Sequence, residues 1–190
     1  MLLTASLSAA LPLSAASHVD VVKMRTENRV NPLGIGTSTP RFSWQITSDR
    51  KGVVQTSYQI LVASSREKLD RNEADLWDSG ERNSDEQLWI PYQGKALLSG
   101  AQAYWKVRIT TNKGKSEWTE PQLFTIGLLG ETKWSGTWIG LEDLQPGEQK
   151  GMHTRLAARY IRKDFAAKGK VKRAVAYVAG LGVYEFYVNG

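Results

Sequence analysis

Large apolar residues alternate with polar ones along residues 41–46, 55–63 and 103–110, and this period of two predicts β-strands. Alternate side chains of a strand point to opposite faces, so one face of each stretch would turn toward a core. The inward residues would be Phe42, Trp44, Ile46, Tyr58, Ile60, Val62, Trp105, Val107 and Ile109. In the third stretch, Tyr104, Lys106, Arg108 and Thr110 would face out.

Shorter apolar segments at 76–80, 88–91 and 123–126 are bounded by Gly, Pro or polar residues and complete the pattern. Residues 65–69 favour a short helical turn. Residues 19–127 therefore hold about seven short strands, which is typical of one immunoglobulin-like or fibronectin-III-type β-sandwich. We predict an all-β fold in which Trp44 and Trp105 are buried together between the sheets.

The remaining chain predicts a linker and a second β-module. Residues 128–137 form the linker, and Trp134 and the adjoining Trp138 are expected to pack. Strands are expected again at residues 158–165, 171–179 and 183–188, before the hairpin-turn pair Asn189-Gly190. A sheet of this size is too small and open to stand alone. Residues 138–190 are therefore predicted to be the incomplete start of a second domain.

Residues 1–16 are apolar and small and predict a signal peptide, with cleavage after Ala16 or Ala10. The expected location is then the periplasm or the cell exterior. The first basic residue is Lys23, whereas a leader normally carries one before its apolar run. A true start further upstream or a disordered tail are the alternatives. No later run is apolar enough to predict a membrane span.

The composition limits the kinds of site and partner that the chain can have. The chain has no Cys, which excludes disulfides and thiolate metal sites, and its two histidines are His18 and His153. The net charge of +6 is spread along the chain, and its densest basic run is only 168–173. Because no base-reading motif accompanies it, we predict a solvated basic surface and no nucleic-acid partner.

Carboxylates and aromatic side chains are the remaining candidates for a site. The acidic candidates are Asp75, Asp78, Asp85, Glu86, Glu142, Asp143 and Glu148. The aromatic candidates are Trp77, Trp89, Trp118, Tyr184 and Tyr187. Polar loops and core or interdomain packing account for most of them. Binding of Ca²⁺ by loop oxygens and stacking on a sugar ring remain open.

Short motifs in a fixed order resemble the amino-terminal region of bacterial α-L-rhamnosidases of glycoside hydrolase family 78. The motifs are 31-NPLGI-35, 40-PRFSW-44, Gln55 with 58-YQI-60 and 62-VASS-65, 76-LWDSG-80, 104-YWKVR-108, Asn112, Gly114, 116-SEW-118, 127-GLL-129, Trp134, 138-WIG-140, 162-RKDF-165, 179-AGLGVYE-185 and 188-VNG-190. Together they cover roughly residues 20–190.

The resemblance implies a fibronectin-III-like sandwich at 19–127 and the start of a jelly-roll domain at 138–190. It implies that an (α/α)6 barrel beyond residue 190 hydrolyses terminal α-L-rhamnose with inversion, by means of acidic residues. The resemblance places none of them in this chain, so no catalytic, metal or cofactor residue is predicted, and the chain alone should be inactive. The implied partners are a rhamnose-containing glycan and the chain's own catalytic domain.

Two points remain open. A non-enzymatic carbohydrate-binding or adhesion protein built of fibronectin-type modules is the alternative function. One residue also departs from the general fibronectin-type pattern, because Ala103 stands where a Tyr often pins a corner of the sandwich. That hydrogen bond is therefore in doubt.

Overall fold

A computed structural model describes residues 19–130, 134–140, 144–149, 151 and 157–190. The chain divides into two compact units, Met1–Ser135 and Gly136–Gly190. All regular elements of the described residues lie in the first unit. They are β1 (Val19–Thr26), β2 (Arg41–Ser48), β3 (Gln55–Ala63), α1 (Arg66–Asp70), β4 (Trp77–Asp78), β5 (Arg82–Asn83), β6 (Ile90–Pro91), β7 (Gln102–Thr111), β8 (Gly114–Lys115) and β9 (Gln122–Thr125).

The first sheet is antiparallel, with the order β1-β2-β6, and we call it the small sheet. β1 and β2 pair from Val19 opposite Ser48 to Thr26 opposite Phe42, with a bulge between Val22 and Arg25. β6 pairs with β2 only at Arg41 and Phe42. Among the described residues, the edge of β2 that faces away from β1 therefore has no regular strand partner beyond Phe42.

The second sheet, which we call the large sheet, is built on the antiparallel pair β3 and β7. β4 and β5 both pair with β3, and β8 and β9 both pair with β7. β4 and β5 therefore lie one after the other along the edge of β3, and β8 and β9 lie in the same way along the edge of β7. The nine strands thus occupy seven positions in two sheets, which confirms the predicted count and the all-β class.

The core lies between the sheets and is rich in aromatic side chains. Trp44 and Trp105 are both buried, as predicted, and the ring centroids of Phe42 and Trp105 are 4.4 Å apart. The indole Nε1 of Trp44 donates to Gln55 Oε1 at 3.0 Å. Every predicted inward residue is buried except Ile46, which is partly buried against the same cluster.

The helix α1 covers part of the outer face of the large sheet. The Ser65 side chain caps it by accepting from the backbone N–H of Lys68, and Leu69 packs against Leu61 and Ala63 of β3. This cover corrects one prediction. Lys106 points outward but is only 5% exposed, and its ammonium donates to Leu69 O and Asn72 Oδ1. Burial lowers the pKa of Lys106.

The corner hydrogen bond that Ala103 put in doubt has a different counterpart. Ala103 is buried without a polar group, whereas the hydroxyl of the buried Tyr92 donates to Lys95 O at 2.7 Å. This bond fixes the segment that leaves β6. Burial raises the pKa of Tyr92 to about 12.

The second unit differs from the prediction. Residues 157–190 contain no helix or strand, so the strands predicted at 158–165, 171–179 and 183–188 are not formed. Apolar residues alone do not form a strand, because a strand is stable only when a neighbour accepts and donates its backbone hydrogen bonds. The expected packing of the linker tryptophans is also wrong, because Trp134 and Trp138 are exposed, the latter by 71%.

Candidate functional site

Trp77 is a core residue of the sandwich. Its ring is half-buried and stacks on Phe42 with centroids 6.3 Å apart, while Tyr92 meets it edge-on at 5.4 Å. The structure therefore places Trp77 in packing.

Trp118 covers two cations on the outer face of the large sheet. The Arg108 guanidinium lies 4.4 Å and the Lys106 ammonium 5.1 Å from the ring centroid, which are cation–π distances. Arg108 also donates to Gln59 Oε1 at 3.0 Å, and Gln59 donates to Asp78 Oδ1 at 2.9 Å. Trp118 thus caps a row of side chains that already bond to one another.

Trp89 differs from the other two. Its indole is 42% exposed and its backbone has a φ of +60°, a left-handed conformation that is a genuine outlier for a bulky residue. Such a conformation costs roughly 1–2 kcal/mol, so surrounding contacts must hold it. The backbone N–H of Trp89 donates to Ser43 Oγ at 3.0 Å, and the Arg41 guanidinium lies 4.1 Å from the ring centroid.

Arg41 is itself fixed by Glu27. Arg41 Nε donates to Glu27 Oε1 at 3.0 Å and Arg41 Nη2 to Glu27 Oε2 at 2.7 Å, a forked pair. The backbone N–H of Arg41 adds a bond to Glu27 Oε1 at 2.8 Å. The side-chain bonds from Arg41 outweigh the effect of burial and lower the pKa of Glu27. Glu27, Arg41 and Trp89 form what we call the Trp89 clamp.

A hollow of about 460 Å³ lies beside β2, past the residues that β6 pairs. Its polar lining consists of Gln45, Gln55, Asp85 and Gln87, and its apolar lining of Ile46, Val53 and Val54. The backbone N–H of Trp44 donates to Gln87 O at 3.0 Å, which places the segment 85–89 alongside β2. The hollow and the Trp89 clamp therefore share one edge of the small sheet.

The acidic candidates Asp75 and Asp78 serve the fold. Burial alone would raise the pKa of Asp75, but Lys68 Nζ at 2.6 Å and the N–H and hydroxyl of Ser64 outweigh it and lower that pKa to about 2. Asp78 Oδ1 accepts from Gln59 Nε2 and from the backbone N–H of Gly80. Both carboxylates hold turns next to α1 and β4.

Glu148 is bound within the second unit. It accepts from Arg159 Nη1 at 2.8 Å and from the backbone N–H groups of Gln145 and Ala157. The bonds from Arg159 lead these in lowering the pKa of Glu148 to about 2. Tyr184 and Tyr187 are both exposed, and the hydroxyl of Tyr187 bonds to Glu185.

The other acidic candidates and the histidines divide as follows. Asp85 and Glu86 are exposed, and Asp85 lines the hollow. His18, His153, Glu142 and Asp143 lie outside the described residues. Within the described ranges, no group of three or more His, Asp or Glu side chains is placed to hold a metal ion. The same ranges contain no helix long and apolar enough to cross a membrane.

Sequence reasoning missed the contacts that position Trp89. Glu27 and Arg41 are 14 residues apart, and no local sequence pattern indicates that they pair. The buried amide of Gln55 was also missed, although Gln55 is the first residue of the alternating run of β3. Nothing in one sequence distinguishes such a glutamine from a solvated one.

Two antiparallel sheets packed face to face around aromatic side chains define the first unit as an immunoglobulin-like β-sandwich domain. Residues 21–130 match the family described as Rha78A-like, N-terminal immunoglobulin domain, and the chain belongs to that family. The family match confirms the resemblance drawn from the sequence motifs.

Relatives and solved structures agree with this family. An α-L-rhamnosidase of Formosa agariphila is 35% identical over 92% of this chain and 20% of the relative. The crystal structure of the Streptomyces avermitilis α-L-rhamnosidase complexed with L-rhamnose matches 65% of this chain and 12% of its own, with 36% identity and a TM-score of 0.61. The structure of the α-L-rhamnosidase from Dictyoglumus thermophilum matches 65% of this chain and 14% of its own, with 35% identity and a TM-score of 0.61. The chain spans about a fifth of the curated relatives' length.

Proposed function

We propose that the chain is the amino-terminal accessory part of an exported α-L-rhamnosidase, in which the sandwich supports a catalytic domain located elsewhere on the polypeptide. The observation that carries this proposal is the family match over residues 21–130, because the relatives that share this region are named α-L-rhamnosidases. Residues 1–16 would direct export to the periplasm or exterior. Residues 138–190 would begin a jelly-roll domain.

The described carboxyl groups with large pKa shifts support an accessory role. Inverting hydrolysis of a glycoside needs a protonated carboxylic acid and a carboxylate about 6.5–9.5 Å apart, with water between them. The acid would need a raised pKa to remain protonated. Asp75 and Glu148 have the opposite, a pKa lowered to about 2 by cationic and N–H donors. We therefore assign the acid and the base to the catalytic domain.

The purified 190-residue chain should not hydrolyse an aryl α-L-rhamnoside, whereas the full-length protein expressed from the same gene should. Release of the aryl alcohol is the measurement, with heat-treated protein as the blank. The coding sequence after Gly190 gives an independent check, because it should encode a helical barrel with paired acidic residues. Turnover by the chain alone would overturn the assignment. A coding sequence that continues only with sandwich repeats would instead favour an adhesion protein.

A further inference from the structure

The edge of the small sheet beside β2 combines an exposed, fixed indole with a polar hollow, and we propose that it binds a neutral oligosaccharide. The binding groups are the indole of Trp89 and the side chains of Gln45, Asp85 and Gln87. This inference rests on the proposed function, which makes a glycan the substrate of the whole protein.

The Trp89 clamp presents a preorganised stacking surface. Arg41 covers the ring from one side at 4.1 Å and cannot swing away, because Glu27 holds its guanidinium by two hydrogen bonds. The left-handed backbone of Trp89 turns the indole outward, while the adjacent Ile90 is buried. An indole ring matches the C–H face of a pyranose. Because the ring is already fixed, binding has less side-chain entropy to lose.

The hollow supplies hydrogen-bonding groups that the fold does not use. The side chains of Gln45, Asp85 and Gln87 make no hydrogen bond within the described part of the chain. The two amides can donate to and accept from sugar hydroxyls, and the carboxylate of Asp85 can accept from them. Gln55 differs, because its amide already bonds to Trp44 Nε1, Ser84 O and Glu86 O and therefore fixes the floor.

The geometry sets the size of the ligand. Arg41 and Gln45 are both exposed on the same outward face of β2, four residues apart, which corresponds to about 13 Å along the strand. A single pyranose ring cannot reach from the indole beside Arg41 to the amide of Gln45, so the occupant has at least two sugar units.

The lining sets the charge of the ligand. The described residues that line the hollow include the carboxylate of Asp85 and no cation. The nearby guanidinium of Arg41 is already neutralised by Glu27. The Asp85 carboxylate would repel an anionic sugar in the hollow, which favours a neutral one.

Titration of the ¹⁵N-labelled 190-residue chain with the methyl glycoside of an α-L-rhamnose disaccharide tests the site. The indole N–H signal of Trp89 and the backbone amides of residues 85–89 should shift, with a Kd on the order of 1 mM. Methyl α-L-rhamnoside, a monosaccharide, should bind several-fold more weakly because it reaches only one end of the site.

Two variants and one control locate the contacts. Trp89→Gly removes the indole while tolerating the positive φ, and Gln87→Leu removes an amide at similar size. Each should weaken binding of the disaccharide about tenfold. Trp138→Ala removes an indole that is exposed in the second unit and should leave the affinity unchanged.

Three results would overturn the site: no shift at Trp89 with the disaccharide, shifts centred on Trp118, or equal affinity in Trp89→Gly and the parent. The proposed function fails separately, through the absence of aryl rhamnoside hydrolysis by the full-length protein. Binding at Trp89 together with absent hydrolysis would support the site and contradict the enzyme assignment. Hydrolysis without binding would contradict the site alone.

Discussion

Trp105→Ala should lower the free energy of unfolding of the 190-residue chain by roughly 3–5 kcal/mol, because it removes a fully buried indole from the centre of the core. The indole lies 4.4 Å from the Phe42 ring, and its neighbours on both sheets are held by backbone pairing. The core cannot collapse into the vacated volume without breaking those ladders, so a cavity would remain. Trp44→Ala should have an effect of similar size for the same reason.

Urea denaturation followed by far-ultraviolet circular dichroism measures this loss without depending on tryptophan fluorescence. The matched control is Trp138→Ala, which removes the same side chain from an exposed position and should change stability by no more than about 0.5 kcal/mol. If Trp105→Ala kept the parent's denaturation midpoint, Trp105 would not belong to the core described here.

Gln55→Leu is expected to destabilise the chain by roughly 2–4 kcal/mol, although it replaces a polar side chain with an apolar one of similar size. The amide of Gln55 accepts from Trp44 Nε1 at 3.0 Å and donates to the carbonyl oxygens of Ser84 and Glu86 at 3.0 and 2.9 Å. Leucine would leave a buried indole N–H and two carbonyl groups without partners. A buried donor or acceptor left unpaired loses its hydration without compensation.

The same denaturation experiment on Gln45→Leu provides the control, because Gln45 is exposed on β2, in the other sheet. The double variant Gln55→Leu/Trp44→Phe should be less destabilised than the sum of the two single variants, since removing both partners leaves no unpaired indole N–H. Equal stability of Gln55→Leu and Gln45→Leu would show that the network is not structural.

The core was predictable because its signal is local. In β2, β3 and β7, side chains of alternating character lie two residues apart, and the strand geometry assigns them to opposite faces without any knowledge of the rest of the fold. The helical turn at residues 65–69 was predictable for the same reason, since helix propensity belongs to the residues themselves.

Lys106 shows where such reasoning stops. Its position in the alternating pattern correctly placed Lys106 on the outer face of β7. The pattern does not say, however, whether another element covers that face. Burial of Lys106 depends on α1 and on Trp118, which lie 12 or more residues away in the chain and reach it only in the folded domain. The Trp89 clamp depends in the same way on the distant Glu27. It also depends on a left-handed backbone at Trp89, which a tryptophan does not predict.

The second unit shows the converse. Residues 158–165 and 183–188 hold several aromatic and aliphatic side chains, and strands were expected there, yet they contain no strand in this chain. Periodicity reports which face would be buried, whereas strand formation requires pairing partners. The sequence pattern alone could not supply that information.

Amide hydrogen exchange on the 190-residue chain tests the central claim, that residues 19–127 form one closed two-layer core, most directly. Strands β3 and β7, each paired on both sides, should exchange only through global unfolding and be the most protected. The amides of residues 158–190 should exchange at rates close to those of an unfolded peptide. Protection concentrated in residues 158–190, with rapid exchange in β3 and β7, would contradict the account.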